Sequence, residues 1–332
     1  MQKKCSSLWF GALVLGGLLA SSAYAAPAGQ AAYTVSGTIA LGNTVKWDYL
    51  VVDEQHRRLF VSGGDHVNVV DLSTGHAGGV IDATRGVHGI ALAPDLGLGF
   101  TSNGKADSVT VFDLATLAVL QEAPVGGKNP DAVLYDQSTH SLLTFNGKSK
   151  DMSVLDAQTR KLVATITLGG RPEFAVSDGK GNIFVNIEDK AELVSVSLNE
   201  KRVLARWSLN GCDEPTGLAF DQDHQRLFSV CQNQVMAVTD ALTGKQITRV
   251  AIGSHPDAAV YDAALGAVLV SNGDKGGTLS VVQQLDADHY RGQEVQTQAG
   301  AKTMAFDHTD KKVYLPYVKD KQMYVMVMQP VK

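Results

Sequence analysis

At intervals of 40, 43, 42, 43, 41 and 45 residues the chain places Asp48, His88, Asp131, Glu173, Thr216, Asp257 and Lys302. All but Thr216 are ionisable, and Trp47, Arg171 and His255 stand beside members of the set. Brought together, such residues could do one of three things. His88 and His255 with Asp131, Glu173 and Asp257 offer imidazole nitrogens and carboxylate oxygens suited to a divalent metal. Asp48, His88, Asp131, Arg171, Glu173, His255, Asp257 and Lys302 could instead form a mixed-charge cup for a small ligand or a protein partner. Or the charges cap strands and neutralise one another across water, since charged groups are costly to bury unpaired. No residue is assigned a catalytic role. The chain has no Gly-x-Ser-x-Gly elbow, no P-loop and no Cys-x-x-Cys-His haem site.

Lysines recur on a second register, at Lys105, Lys148, Lys150, Lys190, Lys275, Lys319 and Lys321. Alone they would make a positive rim for phosphate, a siderophore or nucleic acid. Asp107, Asp151, Asp189, Asp274 and Asp320 sit close to them in sequence, so a mixed rim of solvated turns is expected. The net charge of -5 also speaks against nucleic acid as a partner.

The spacing reflects a repeat of about 42 residues. Each unit has an apolar strand ending near Asp, a polar turn and a second apolar strand. It reads WDYLVVDEQHRRLFVS from Trp47, PDAVLYDQSTHSLLTF from Pro130 and PTGLAFDQDHQRLFSV from Pro215. A third strand such as Val109–Phe112 and a fourth such as Leu162–Leu168 follow. Asp-x-x-Thr-Gly turns, as at Asp240–Gly244, separate them. Within these segments the apolar period is two, and no long 3.6-residue periodicity appears. Four strands per unit and seven units predict an all-β, seven-bladed β-propeller with four-stranded blades. The seventh unit stops after three strands. Thr38–Gly42 resembles Thr165–Gly169, so Tyr33–Leu41 is expected to complete blade seven and close the ring. The anchor residues then ring one mouth of the central channel.

One run joins Gly-x-x-Pro-x-apolar-x-apolar-x-Asp to apolar-x-Ser-Asn and then to Val-x-Val-x-Asp-x-x-Thr-Gly. It resembles the YVTN repeat of YncE-like seven-bladed propellers. The likeness is clearest over 127–156, 253–282 and 211–244, and extends over residues 33–329. Blade four departs from it with Val185-Asn186-Ile187 where Ser-Asn is expected, and blade six has a longer loop through 286–291. The resemblance speaks for architecture and little for activity, because the fold hosts enzymes, binding platforms and scaffolds. Metal-dependent lactonase propellers are comparable by architecture only. The Asp-x-x-Thr-Gly turns also resemble those of quinoprotein propellers, but only Trp47 and Trp207 lie beyond residue 25, which is too few for that docking pattern.

Residues 1–25 read as a secretory signal: Lys3 and Lys4, an apolar run from Leu8 to Ala20, then Ala23-Tyr24-Ala25 for cleavage. The apolar run is too short to span a bilayer. Cys5 precedes it, which argues against a lipid anchor. Residues 26–32 are expected to be a disordered leader and 33–332 a single propeller. Cleavage would change the charge to -5 - 2 = -7. The location expected is the periplasm, where Cys212 and Cys231 would form a disulfide. The function expected is that of a non-enzymatic, monomeric propeller with no membrane span. It would bind a small molecule or an envelope protein at its charged mouth, with no cofactor beyond the candidate divalent metal. A metal-dependent, lactonase-like hydrolase or lyase at the same mouth is the alternative, with nucleic-acid binding behind both.

Overall fold

The computed structural model describes residues 32–42 and 46–331. The expected signal segment, and the leader up to residue 31, lie outside the described residues. Seven four-stranded antiparallel sheets follow one another along the chain. Their innermost strands are Leu50–Asp53, Val87–Ala93, Pro130–Asp136, Pro172–Ser177, Pro215–Asp221, Pro256–Asp262 and Ala305–Asp307, in blades one to seven. This is a seven-bladed β-propeller. Blade seven is closed as the repeat arithmetic requires: Tyr33–Gly42 pairs antiparallel with Gln322–Pro330, from Tyr33 opposite Pro330 to Gly42 opposite Met323. Ala32, assigned to the leader from sequence, already contributes: its carbonyl accepts the Val331 N–H at 3.1 Å.

Burial follows from position within a blade. Second and third strands are sandwiched between neighbouring blades, so both of their faces are apolar: Leu59, Phe60 and Val61 are wholly buried. Fourth strands form the rim and stay largely exposed, as Val119–Pro124 shows with only Ala123 buried. The Asp-x-x-Thr-Gly turn works as its residues suggest. Asp240 Oδ1 accepts from the Leu242 and Thr243 N–H groups and the Thr243 hydroxyl. Gly244 then adopts φ +71°, and a Cβ there would lie 2.2 Å from the Trp207 ring.

At the ends of the inner strands away from the anchors, polar links staple blade to blade. Arg57 of blade one bonds Asp307 and Asp310 of blade seven at 2.8 and 2.7 Å. Lys311 of blade seven bonds Asp262 of blade six at 2.7 Å, and Ser177 of blade four bonds Asp136 of blade three.

Cys212 and Cys231 form the expected disulfide, with Cα atoms 5.3 Å apart and both residues buried in blade five. It ties the segment entering the inner strand to the end of the second strand, across 19 residues. Closing a loop of that size should contribute about 3 kcal/mol. Cys212→Ser with Cys231→Ser should therefore lower the denaturant midpoint, with that loss read from chemical unfolding. Two alkylatable thiols in the non-reduced protein would refute the bridge.

Candidate functional site

The Ser-Asn ends of the second strands set the anchors in place. In blades two and six the serine reaches across to the backbone where the next blade begins. The Ser102 hydroxyl donates to the Asp131 carbonyl and accepts the Gly89 N–H, and Ser271 donates to the Lys302 carbonyl. Ser62 acts within blade one, accepting the Asp48 N–H at 2.7 Å. The adjoining asparagines bond their own blade: Asn103 Nδ2 donates to Ser108 and Thr110. Blade four, which breaks the pattern, achieves the same tie with its own asparagine. Asn186 Nδ2 donates to the Thr216 and Gly217 carbonyls at 2.9 and 3.0 Å, while Ser229 holds its other end.

The result is a channel mouth in which most of the expected residues meet, in three groups. In the first, His88 Nδ1 lies 2.6 Å from Asp48 Oδ2 and 3.7 Å from Asp131 Oδ1. One ligand atom from each of these three residues lies within 4.8 Å of the others. A Cβ at Gly104 would come 2.7 Å from His88 Nε2, so only glycine leaves the imidazole this space. In the second group Lys302 Nζ sits 3.0 Å from Asp257 Oδ2. In the third Arg171 bonds Glu188 at 2.5 Å, and the Glu188 carboxyl is close enough to Glu173 to raise it.

Five carboxyls therefore crowd one opening, and burial raises three of them. Burial, then Asp48, pushes Asp131 up to about 6. Burial carries Asp257 to about 6 although Lys302 pulls it down. Burial, then Asp131 and Glu188, takes Glu173 to about 10, so it is protonated at neutral pH. The Asp48 hydrogen bond raises His88 and favours its imidazolium form.

The metal set expected from sequence is not the set the fold assembles. His255 is exposed, with Nδ1 2.9 Å from the Ser254 hydroxyl. Glu173 and Asp257 belong to the other two groups, and Asp48 joins His88 and Asp131 in their place. Distance round the ring is the reason: blades one, two and three are adjacent, whereas four and six are not adjacent to two.

Two further residues carry signals a sequence reader could use. Glu188 occupies the position of Gly104, Gly147 and Gly273 at the ends of other second strands, so a charge stands there where its counterparts have no side chain. Tyr49 and Phe174 follow their anchors directly, where the other blades have Gly89, Ala132, Gly217, Ala258 and Thr303. The two large rings come from blades one and four and stack across the channel, centroids 5.7 Å apart.

At the first group lies a cavity of about 490 Å³ lined by Lys46, Trp47, Asp48, His88, Lys105, Asn129, Lys148 and Lys302. Lys105 is paired with Asp65 at 3.0 Å, and Lys302 with Asp257. Lys150 is paired with Asp189 outside the cavity, so the rim is mixed. Lys46 and Lys148 have no carboxylate within ion-pair distance among the described residues. The Trp47 Nε1 is buried without a hydrogen-bond partner.

No protein-family model matches the chain, and no curated protein matches its sequence. Among solved structures it is similar to a chain of Kuenenia stuttgartiensis hydrazine synthase. The TM-score is 0.72 and the identity 13%, over 87% of this chain and 97% of that one. At that identity the likeness speaks for the propeller fold alone.

Proposed function

We propose that this chain is a YncE-like binding propeller of the periplasm that takes a small anionic ligand in the cavity above blades seven, one, two and three. The observation that carries this reading is that Lys46 and Lys148, neither of which has a carboxylate within ion-pair distance among the described residues, line one concave space with Trp47. A volume of about 490 Å³ suits a small molecule, and a concave space this size favours one over a protein surface. Asp48 in its wall, with Asp131 beside His88, opposes a polyanion such as nucleic acid and favours a ligand held by the lysines. The buried disulfide and the signal-like first 25 residues support the oxidising compartment.

Trp47 supplies the assay. In Trp207→Phe protein lacking residues 1–25 it is the sole tryptophan. Phosphate and small mono- and dicarboxylates should shift its emission saturably. Lys46→Gln and Lys148→Gln should each weaken that response about tenfold, the loss expected for one charge-assisted bond. Unaltered emission with every anion, or full binding by the double variant, would overturn the reading.

A second reading rests on the Asp48, His88 and Asp131 group, whose ligand atoms approach closely enough to share one divalent ion. Such an ion would supply Lewis-acid chemistry for a hydrolase or lyase. Metal analysis of chelator-dialysed protein after reloading with zinc or manganese separates the two readings: one ion per chain, lost in His88→Ala, favours this one.

A further inference from the structure

We infer that the channel holds a second binding site, on the opposite side of the Tyr49–Phe174 stack from the charged mouth, for a neutral and largely apolar small molecule. A cavity of about 400 Å³ lies there against the inner strands of blades three to six. On blade four the order of residues shows the change of character: Glu173 belongs to the mouth, Phe174 to the stack, and Val176 and Ser177 to the second cavity.

The lining selects the occupant. Val133, Leu134, Val176, Phe220, Val260 and Tyr261 stand half-buried around the space, and none of the lining side chains is ionisable at neutral pH. An ion entering it would lose its hydration with no counter-charge, which excludes the anions proposed for the mouth. The polar groups of the wall are already engaged. The Ser177 hydroxyl donates to Asp136 and accepts the Gly179 N–H at 2.9 Å, and the Tyr261 hydroxyl donates to Gln284. Gln222 is the exception: it is exposed at the rim, and its side-chain amide has no hydrogen-bond partner among the described residues. The lining thus fits a hydrocarbon or aromatic body with one hydrogen-bonding end at Gln222. A volume of about 400 Å³ limits that body to a small molecule rather than a lipid or a peptide.

The neutral fluorophore N-phenylnaphthylamine, whose single N–H matches this description, is the probe. The whole propeller should enhance its emission with one molecule bound per chain. Val176→Trp and Val260→Trp place a large ring in the space, and each should weaken binding at least tenfold. Val163→Trp, on the exposed outer strand of blade three, should leave it unchanged. Melting curves identify which filled variants are folded. Absence of enhancement by the unmodified protein, binding at several weak sites per chain, or full binding by a folded filled variant would overturn the inference. None of these outcomes bears on the anion site, which is read by Trp47 at the other end of the channel.

Discussion

A chain lacking Tyr33–Gly42 is expected to lose its cooperative melting transition and to aggregate. The segment is the outermost strand of blade seven, and it is the only part of that blade drawn from the other end of the sequence. Its removal uncovers the nine residues Gln322–Pro330, in which Met323, Val325, Met326 and Met328 are buried. It also removes Tyr33 and Ile39, both nearly inaccessible, each worth about 1.5–3 kcal/mol of apolar burial. The Tyr33 hydroxyl bond to the Lys311 carbonyl, at 2.9 Å, goes with them. Together these losses approach the whole stability of an ordinary domain. The uncovered strand would present unpaired N–H and C=O groups beside exposed apolar side chains, a template for pairing with a second chain. Circular dichroism melting and size-exclusion chromatography read both effects. A deletion variant that melts at an undiminished midpoint as a monomer would sink this account of closure.

The same strand illustrates why the architecture was legible. A propeller blade repeats its turn chemistry, so one recognisable Asp-x-x-Thr-Gly turn or Ser-Asn end is reinforced by several others. The unpaired fourth strand then has one place to go. The disulfide was legible for a related reason: antiparallel pairing of the first two strands of blade five sets Cys212 beside Cys231.

The mouth was legible only in part. Repeat spacing places the anchors on one ring, but says nothing of which neighbours touch. His255 shows the limit. It immediately precedes Pro256, yet its backbone takes φ +56° and its side chain lies exposed beside Ser254. Glu188 shows the opposite error. It does not belong to the anchor series, yet it bonds Arg171 and crowds Glu173 because the antiparallel second strand of blade four ends beside the start of the first. The lysine rim is mixed as the neighbouring aspartates imply at Lys150, which pairs with Asp189, whereas Lys105 pairs with Asp65, which the sequence does not single out. The exposure of Lys46 and Lys148 to one cavity depends on side-chain placement that no repeat encodes.

The mouth charges should govern the pH dependence of stability. The triple variant Asp131→Asn, Glu173→Gln, Asp257→Asn is expected to melt higher than the unmodified chain at pH 8. In the unmodified protein Asp131 and Asp257 are raised to about 6. Folding therefore favours their protonated forms. Their stabilising contribution is complete below the ordinary carboxylate value and is lost as pH rises through 6. Raised His88 acts in the same direction, and so does Glu173: raised to about 10, it keeps its proton in the folded chain at neutral pH, and its contribution is lost as pH rises from the ordinary carboxylate value towards 10. Asp53, Asp136 and Asp262 at the far ends of their strands act oppositely. Burial opposes their charge, but bonds from Arg58, Ser177 and Lys311 outweigh it and hold them below their usual value. What they contribute is present above the ordinary value and lost in stronger acid. The melting midpoint of the unmodified chain should thus rise from pH 8 to a maximum at about the ordinary carboxylate value, near pH 4, and then fall. Because Asp131 and Asp257 are partly exposed, neutralising both should recover on the order of 4 kcal/mol at pH 8 rather than the full converted shift. In the triple variant most of the rise on acidification should vanish, leaving the His88 contribution and the fall in stronger acid. An equal rise in both proteins would place the titrating groups elsewhere. It would also return the mouth carboxyls to the role of strand caps that neutralise one another across water.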